Sequence, residues 1–271
     1  MRAGYIVILI DQSGSMSDSF GGGMGRKCDE CAKAVNRVLQ EIGFSCATGE
    51  ILKNRCDISI IGYGKSGNQV ENAFSGNLAN KEIVTISELA QNILRMDKVK
   101  QKIPDGAGGI IEVENDFPIW VEAIANGGTP MGEAFNKAHK LITSWIPNHQ
   151  ESFPPIVINI TDGEPNDQAT AKASAQKLAE LETYDGKVLI MNAHISSKQV
   201  GKVELPSFST GLPDKYAEFL FNISSELPPV MIERASAMGF APQAGARAFV
   251  YNADAETMIR LLTFGSLAKL R

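Results

Sequence analysis

Apolar positions along this chain fall into two alternating patterns. Gly4–Ile10 is a near-continuous apolar run closed by Asp11, which is how a strand buried on both faces reads. Arg26–Phe44 then places its apolar residues at helical spacing. Cys56–Tyr63 predicts a second strand, with Gln69–Ser75 as its neighbour across a glycine-containing turn. Ser87–Leu94 predicts a short helix, with Ser87 as candidate N-cap and Glu88 in its first turn. Pro130–Ile146 predicts a helix with proline at its first position and Thr129 as N-cap. Beyond it come a mostly apolar strand, Pro155–Thr161, interrupted by Asn159, and an Ala-rich helix, Gln168–Glu182. Lys187–His194 and Ala246–Tyr251 predict two further strands, and Glu256–Leu270 a closing helix.

Strand and helix alternate, so the fold class is α/β. A mostly parallel sheet is expected, with helices on both faces through right-handed crossovers and one antiparallel edge strand. Two segments, Lys98–Asn126 and Ser196–Gly245, fit this alternation least well. They are rich in glycine, proline and short apolar pieces, and read as insertions into a single domain spanning residues 1–271.

Composition narrows the picture. Of 271 residues, 26 are Lys or Arg and 31 are Asp or Glu, for a net charge of −5; the apolar share is 44% and the charged share 21%. These values exclude a disordered chain, a collagen-like repeat and a disulfide miniprotein. The mild acidity offers no global attraction to nucleic acid. Asp11 ends the first apolar run too early for a signal-peptide core and cleavage site, and no window approaches the roughly 20 apolar residues of a membrane helix. The expectation is a cytoplasmic protein without a membrane partner. Cys28 and Cys31 form a C-x-x-C, a pattern shared by zinc and redox sites. They also lie on one helical stripe with Val35, Val38 and Ile42, and Cys46 and Cys56 do not repeat the spacing. Buried free thiols are the expected outcome.

Candidate chemistry lies where ligands sit in open α/β sheets, beyond the carboxyl ends of the strands. The first strand runs into Asp11-Gln12-Ser13-Gly14-Ser15, and a later one into Asp162-Gly163-Glu164-Pro165. Between them Gly127-Gly128-Thr129-Pro130-Met131-Gly132 enters a helix. Asp11 and Asp162 are expected on the same sheet edge, and the paired glycines allow close backbone approach before Thr129. Two carboxylates and three hydroxyls form a hard-oxygen set without His or Cys, suited to Mg²⁺ with Mn²⁺ as a substitute. A metal so weakly neutralised keeps its Lewis acidity and a position for an incoming carboxylate.

These residues resemble the metal-ion-dependent adhesion site (MIDAS) of von Willebrand factor A (VWA) domains: Asp11-x-Ser13-x-Ser15, Thr129 in a Gly-Gly-Thr-Pro loop, and Asp162-Gly163. All five positions match, and the resemblance runs from Tyr5 to about the last strand and helix. It implies a Rossmann-like, doubly wound fold, with Ser13, Ser15 and Thr129 as direct or near-direct ligands and Asp11 and Asp162 acting partly through water. It also implies a non-enzymatic, Mg²⁺-dependent protein-binding module whose metal bridges to an Asp or Glu of a partner protein. In some members a change in coordination shifts the closing helix. Thr161–Asn166 and the Gly-Gly-Thr-Pro-Met-Gly loop look most like bacterial cytosolic members of the tellurite-resistance-associated type, some of which act beside kinases, phosphatases or ATPases in stress responses. Certain of those members carry a C-terminal cysteine-rich zinc module; here no cysteine follows Cys56.

The alternative reading is a Mg²⁺- or Mn²⁺-assisted phosphate-ester hydrolase with His194 nearby. It lacks a second carboxylate for a base or second metal, and no motif pairs a nucleophile with a base. Gly64-Lys65-Ser66 resembles the end of a phosphate-binding loop, but Ser59 stands where the pattern needs glycine. Gly21–Gly25 reads as a loop beside the metal segment, His194 as a hydrogen-bonded structural residue, and Trp120 and Trp145 as packing residues.

Overall fold

A computed structural model describes residues 3–21, 24–49, 51–104, 109–197 and 201–266. Apart from two hairpins of two-residue strands, its strands and helices are β1 (Gly4–Asp11), α1 (Lys27–Cys46), β2 (Cys56–Tyr63), β3 (Val70–Asn72), β4 (Val84–Thr85), α2 (Ile86–Gln91), β5 (Arg95–Pro104), β6 (Ile110–Ile119) and α3 (Met131–Trp145). They continue with β7 (Ile156–Thr161), α4 (Gln168–Ala179), β8 (Leu189–His194), β9 (Val203–Glu204), α5 (Lys215–Ile223), α6 (Pro229–Ala237), β10 (Phe249–Tyr251) and α7 (Ala255–Ser266).

An eight-stranded sheet is ordered β9-β10-β8-β7-β1-β2-β3, with β4 also paired to β2. Its five inner strands, β10, β8, β7, β1 and β2, are parallel. The short strands β9, β3 and β4 pair antiparallel, so both edges of the sheet carry antiparallel pairing. The mixed α/β class and the mostly parallel sheet match the sequence reading. β1 lies in the middle, between β2 and β7, which explains its uninterrupted apolar run: both faces are covered.

The two faces divide by strand periodicity. Ile6, Ile8 and Ile10 pack with Val35, Val38, Leu39 and Ile42 of α1 and with Met258, Leu261 and Leu262 of α7. Tyr5, Val7 and Leu9 pack with Phe135, Ala138 and Ile142 of α3 and Ala171 and Leu178 of α4. Each Val, Leu, Ile, Met and Phe side chain among these contributes about 1.5–3 kcal/mol by leaving water. A one-residue slip of β1 would exchange the two sets and bring both clusters apart. All four cysteines are buried and free, Cys28 and Cys31 on the α1 face of the core.

Several boundaries move for local reasons. α2 is capped by Thr85, not Ser87: the Thr85 hydroxyl accepts from Glu88 N–H, and Glu88 accepts from Thr85 N–H in a capping box. α3 begins at Met131 with Pro130 as N-cap and no side-chain cap bond, so Thr129 does not serve as its cap. α4 stops at Ala179 and β8 starts at Leu189, because Glu182–Thr183 and Gly186–Lys187 close their own small hairpin. β10 covers only Phe249–Tyr251; upstream, the Ala248 amide donates to Ser225 O and the Leu227 amide to Ala246 O.

The described parts of the two poorly patterned segments contain regular structure. Most of Lys98–Asn126 belongs to a long β5–β6 hairpin in register from Arg95↔Ile119 to Pro104↔Ile110. Lys98 and Lys100 stand opposite Asp116 and Glu114, complementary charges that stabilise cross-strand pairing. Segment 196–245 contains β9, α5 and α6. The sequence prediction for Glu256–Leu270 holds through residue 266; the remainder lies outside the described residues.

Candidate metal centre

β1 and β7 are parallel neighbours, with Ile10 opposite Ile160. Their carboxyl ends therefore deliver Asp11 and Asp162 to one edge of the sheet, as the sequence predicts. Beyond Asp11 the chain tightens into a 3₁₀ turn, Gly14–Ser17. The Ser13 N–H donates to Asp11 Oδ1 at 2.9 Å, which pins the turn to the end of β1. Ser13 and Ser15 share a hydroxyl–hydroxyl hydrogen bond of 3.1 Å, and the Ser15 hydroxyl donates to Asp162 Oδ1 at 2.9 Å. Ser13, Ser15 and Asp162 thus form one continuous chain of oxygens, to which Asp11 is joined through the Ser13 amide.

Thr129 is brought beside this group by its loop, while its own backbone N–H and C=O bond to Asn166. Its loop is tied to the Ser13 turn by Gly14 N–H to Gly127 O and Asn126 N–H to Gln12 O, both 2.8 Å. On the other side, Thr129 N–H donates to Asn166 Oδ1 at 2.9 Å and Asn166 N–H donates back to Thr129 O at 3.0 Å. Thr129 is buried. The approach depends on glycines from two loops. Gly64 has φ +90°, and a Cβ there would lie 2.0 Å from Gly128 O; one on Gly127 would lie 2.4 Å from Gly64 O. The Gly64-Lys65-Ser66 turn thus serves as a seat for the Thr129 loop.

Asp11 is fully buried. Burial, reinforced by the nearby Asp162 carboxylate, raises its pKa from 3.8 to about 6, against the opposing hydrogen bonds from Ser13 and Thr161. The Thr161 hydroxyl supplies a 2.7 Å bond to Asp11 Oδ2. Lys27, the first residue of α1, places its ammonium 2.6 Å from Asp162 Oδ2 and 3.3 Å from Ser15 O. Neither Lys27 nor Thr161 was a candidate from sequence. Thr161 was visible as the last residue of an apolar strand before Asp162. Nothing in the periodicity distinguishes Lys27 from a surface lysine at a helix start.

His194 ends β8 on this sheet edge and is buried. Its ring stacks on Tyr251 with centroids 4.4 Å apart, and Nδ1 accepts from the Asn252 N–H at 3.4 Å. Burial lowers its pKa from 6.5 to about 4. A neutral, stacked, hydrogen-bonded imidazole matches the structural role expected of it. Trp120 and Trp145 are likewise buried, and their indole N–H groups donate to Leu89 O and Asp57 Oδ2, each at 2.8 Å.

The chain resembles solved structures at low identity. A manganese-loaded TRAP protein of Plasmodium vivax is 13% identical, with a TM-score of 0.37, over 90% of this chain and 69% of that one. The PilB minor pilin of Streptococcus sanguinis is 11% identical, with a TM-score of 0.49, over 99% of this chain and 61% of that one. The pilus adhesin SpaC of Lactobacillus rhamnosus GG is 12% identical, with a TM-score of 0.43, over 83% of this chain and 28% of that one. No protein-family model matches the chain, and no curated protein sequence matches it at a significant level.

The donor set fits a small hard cation. Adjacent oxygens around an octahedral Mg²⁺ at about 2.0–2.1 Å are separated by about 2.9–3.0 Å. The Ser13–Ser15 and Ser15–Asp162 oxygen separations of 3.1 and 2.9 Å already have that spacing. Among the described residues there is no group of three or more His, Cys, Asp or Glu placed to hold a metal, so a cation here would depend on the hydroxyls. No described helix is long and apolar enough to cross a membrane.

Proposed function

We propose that this chain is a non-enzymatic, VWA-type, metal-dependent protein-binding module, a single domain with decorations at 98–126 and 196–245. Asp11, Ser13, Ser15, Thr129 and Asp162 hold Mg²⁺, with Mn²⁺ as a substitute. The bound ion supplies Lewis acidity toward one incoming carboxylate, the Asp or Glu of a partner protein. The observation that carries this reading is the hydroxyl–carboxylate chain Ser13–Ser15–Asp162 above a fully buried Asp11. Uncharged hydroxyls donate weakly to the ion, so an anionic ligand adds a strong bond.

The chain's own residues keep this arrangement ready. Ser13 N–H and Thr161 orient Asp11, Asn166 brackets Thr129 from both backbone groups, and the glycines of two loops let the segments meet. Loops on the same edge, including the Glu164 carboxylate held by the Tyr216 hydroxyl, would set partner choice. The setting proposed is the cytoplasm of a bacterium, in a stress-response or signalling complex with a kinase, phosphatase or ATPase. Four free, buried thiols suit a reducing compartment. Phosphate-ester hydrolysis is disfavoured because His194 is engaged by Tyr251 and Asn252 instead of standing free as a base.

Titration calorimetry with Mg²⁺ and Mn²⁺ tests the proposal directly. Wild type is expected to bind and Asp11→Ala to lose binding; equal affinities would overturn the metal site. A pull-down from native lysate, with and without EDTA, tests the partner mode. A partner set indifferent to both EDTA and Asp11→Ala would overturn the adhesion reading.

A further inference from the structure

Lys27 occupies an unfavourable place for a cation. It is the first residue of α1, where the helix dipole presents its positive end. Its side chain is 5% exposed, and that of its partner Asp162 is 1% exposed. Burying an ammonium costs several kcal/mol unless close anions compensate. The compensation is Asp162 Oδ2 at 2.6 Å, the Ser15 carbonyl at 3.3 Å and the more exposed Asp18 carboxylate at 3.7 Å.

The two oxygens of Asp162 are divided. Oδ1 accepts the Ser15 hydroxyl on the side of the candidate ligands, and Oδ2 is held by Lys27. A cation bound by the hydroxyls can therefore meet Oδ1 while Lys27 keeps Oδ2. Charge counting then gives Lys27 a role. Asp11, Asp162 and Lys27 together carry a single negative charge, and a divalent ion converts it to a single positive one. Without Lys27 the loaded centre would be neutral.

Resting on the metal-binding reading above, we propose that Lys27 is a built-in counter-cation of the centre: it weakens the affinity for a divalent ion alone and strengthens the capture of an anionic carboxylate by the loaded site. Metal and acidic ligand then bind cooperatively, because the charge that opposes the first attracts the second. In the metal-free protein the same ammonium stabilises Asp162.

Mn²⁺ titrations of wild type, Lys27→Met and Lys27→Arg, each with and without acetate as the carboxylate probe, test this. Lys27→Met is expected to bind Mn²⁺ at least about tenfold more tightly than wild type without acetate, by the removal of one nearby positive charge. Acetate should improve Mn²⁺ affinity in wild type and in Lys27→Arg, and improve it less in Lys27→Met. Melting curves add a readout that a merely structural lysine would not give. In divalent-free buffer Lys27→Met should melt below wild type, and saturating Mn²⁺ should narrow that gap; an unchanged gap counts against the proposal. Lys27→Gln, which retains a donor for Asp162, gives the same comparison should Lys27→Met fail to fold. Equal Mn²⁺ affinity in wild type and the neutral variants overturns the Lys27 proposal alone. Absence of Mn²⁺ binding in wild type overturns the metal reading and this proposal together.

Discussion

The Thr161 hydroxyl donates to Asp11 Oδ2 at 2.7 Å, across the pairing of two parallel strands. Asp11 has no exposure to water, so its two oxygens depend on what the protein supplies: Ser13 N–H at Oδ1 and Thr161 at Oδ2. Thr161→Val keeps the shape and removes the donor. At neutral pH the variant is expected to lose about 1.5–3 kcal/mol, the value of a hydrogen bond to a buried charged group. Urea denaturation in divalent-free buffer measures it, and wild-type stability in the variant would contradict the role assigned to Thr161.

Two buried titrations on this edge run in opposite directions over nearly the same pH range. His194 has its pKa lowered from 6.5 to about 4 by burial, with Asp214 and Asp162 opposing and Lys27 assisting. The unfolded chain therefore takes up this proton first. The associated stability is present above about pH 6.5 and is lost as pH falls toward 4, about 3 kcal/mol in all. For Asp11, raised from 3.8 to about 6, the folded chain holds the proton longer. Its contribution is present below about pH 3.8 and is lost as pH rises through 6, again about 3 kcal/mol. Metal-free wild type should accordingly show little net slope from these two groups between pH 4 and 6. Asp11→Asn should gain stability with rising pH there, and His194→Gln should lose it. Melting temperatures in divalent-free buffers decide the matter; a variant that follows the wild-type profile removes its residue from this account.

Gly64 tests the contact between loops. Alanine there must adopt φ near +90° and place its Cβ 2.0 Å from Gly128 O and 3.2 Å from Ser13 N. Both contacts are with backbone, which cannot swing aside as a long side chain does. Gly64→Ala is expected to cost at least about 2 kcal/mol from backbone strain and overlap, and to weaken Mn²⁺ binding by displacing the Thr129 loop. Gly67→Ala is the control: it has a positive φ of 58°, but nothing lies within 4 Å of its added Cβ. Equal losses of Mn²⁺ affinity in the two variants would show that loop contact is not the cause.

The inner strands were legible because burial on both faces leaves near-continuous apolar runs, as in Gly4–Ile10. The oxygen-rich loops were legible because they follow such strands directly. Lys27 was hidden because its partner lies 135 residues away, and a lone lysine at a helix start looks like any solvated one. The β5–β6 hairpin was hidden because it is largely exposed: Lys98, Lys100, Glu112 and Glu114 are polar positions with no buried face to impose a simple apolar alternation. Its signal was the opposition of charges, Lys98 with Asp116 and Lys100 with Glu114, and that appears only once a register is assumed. Ser87 was misassigned as a cap because Thr85, two residues earlier, meets the same chemical requirement and has Glu88 at the reciprocal capping-box position.

Asn36 carries the last expectation. It sits on the buried face of α1, 1% exposed, where an apolar residue would continue the stripe. Its Oδ1 accepts from both Trp120 N–H at 2.9 Å and Val121 N–H at 3.1 Å, while Nδ2 donates to Val121 O at 2.8 Å. One side chain thus satisfies three backbone groups where the chain leaves β6 on its way to Gly127 and Thr129. Asn36→Ala removes all three partners and leaves two amides and a carbonyl buried without their present bonds, each worth about 1–3 kcal/mol. Partial relaxation makes the losses less than additive, so the expected cost is about 3 kcal/mol or more. Because Trp120 N–H and Val121 N–H hold this exit in place, their hydrogen exchange should accelerate more in Asn36→Ala than that of the central β1 amides. Denaturation and amide exchange together check the assignment. A loss below about 1 kcal/mol, with Trp120 and Val121 protected as in wild type, would show that the segment is held by packing rather than by Asn36.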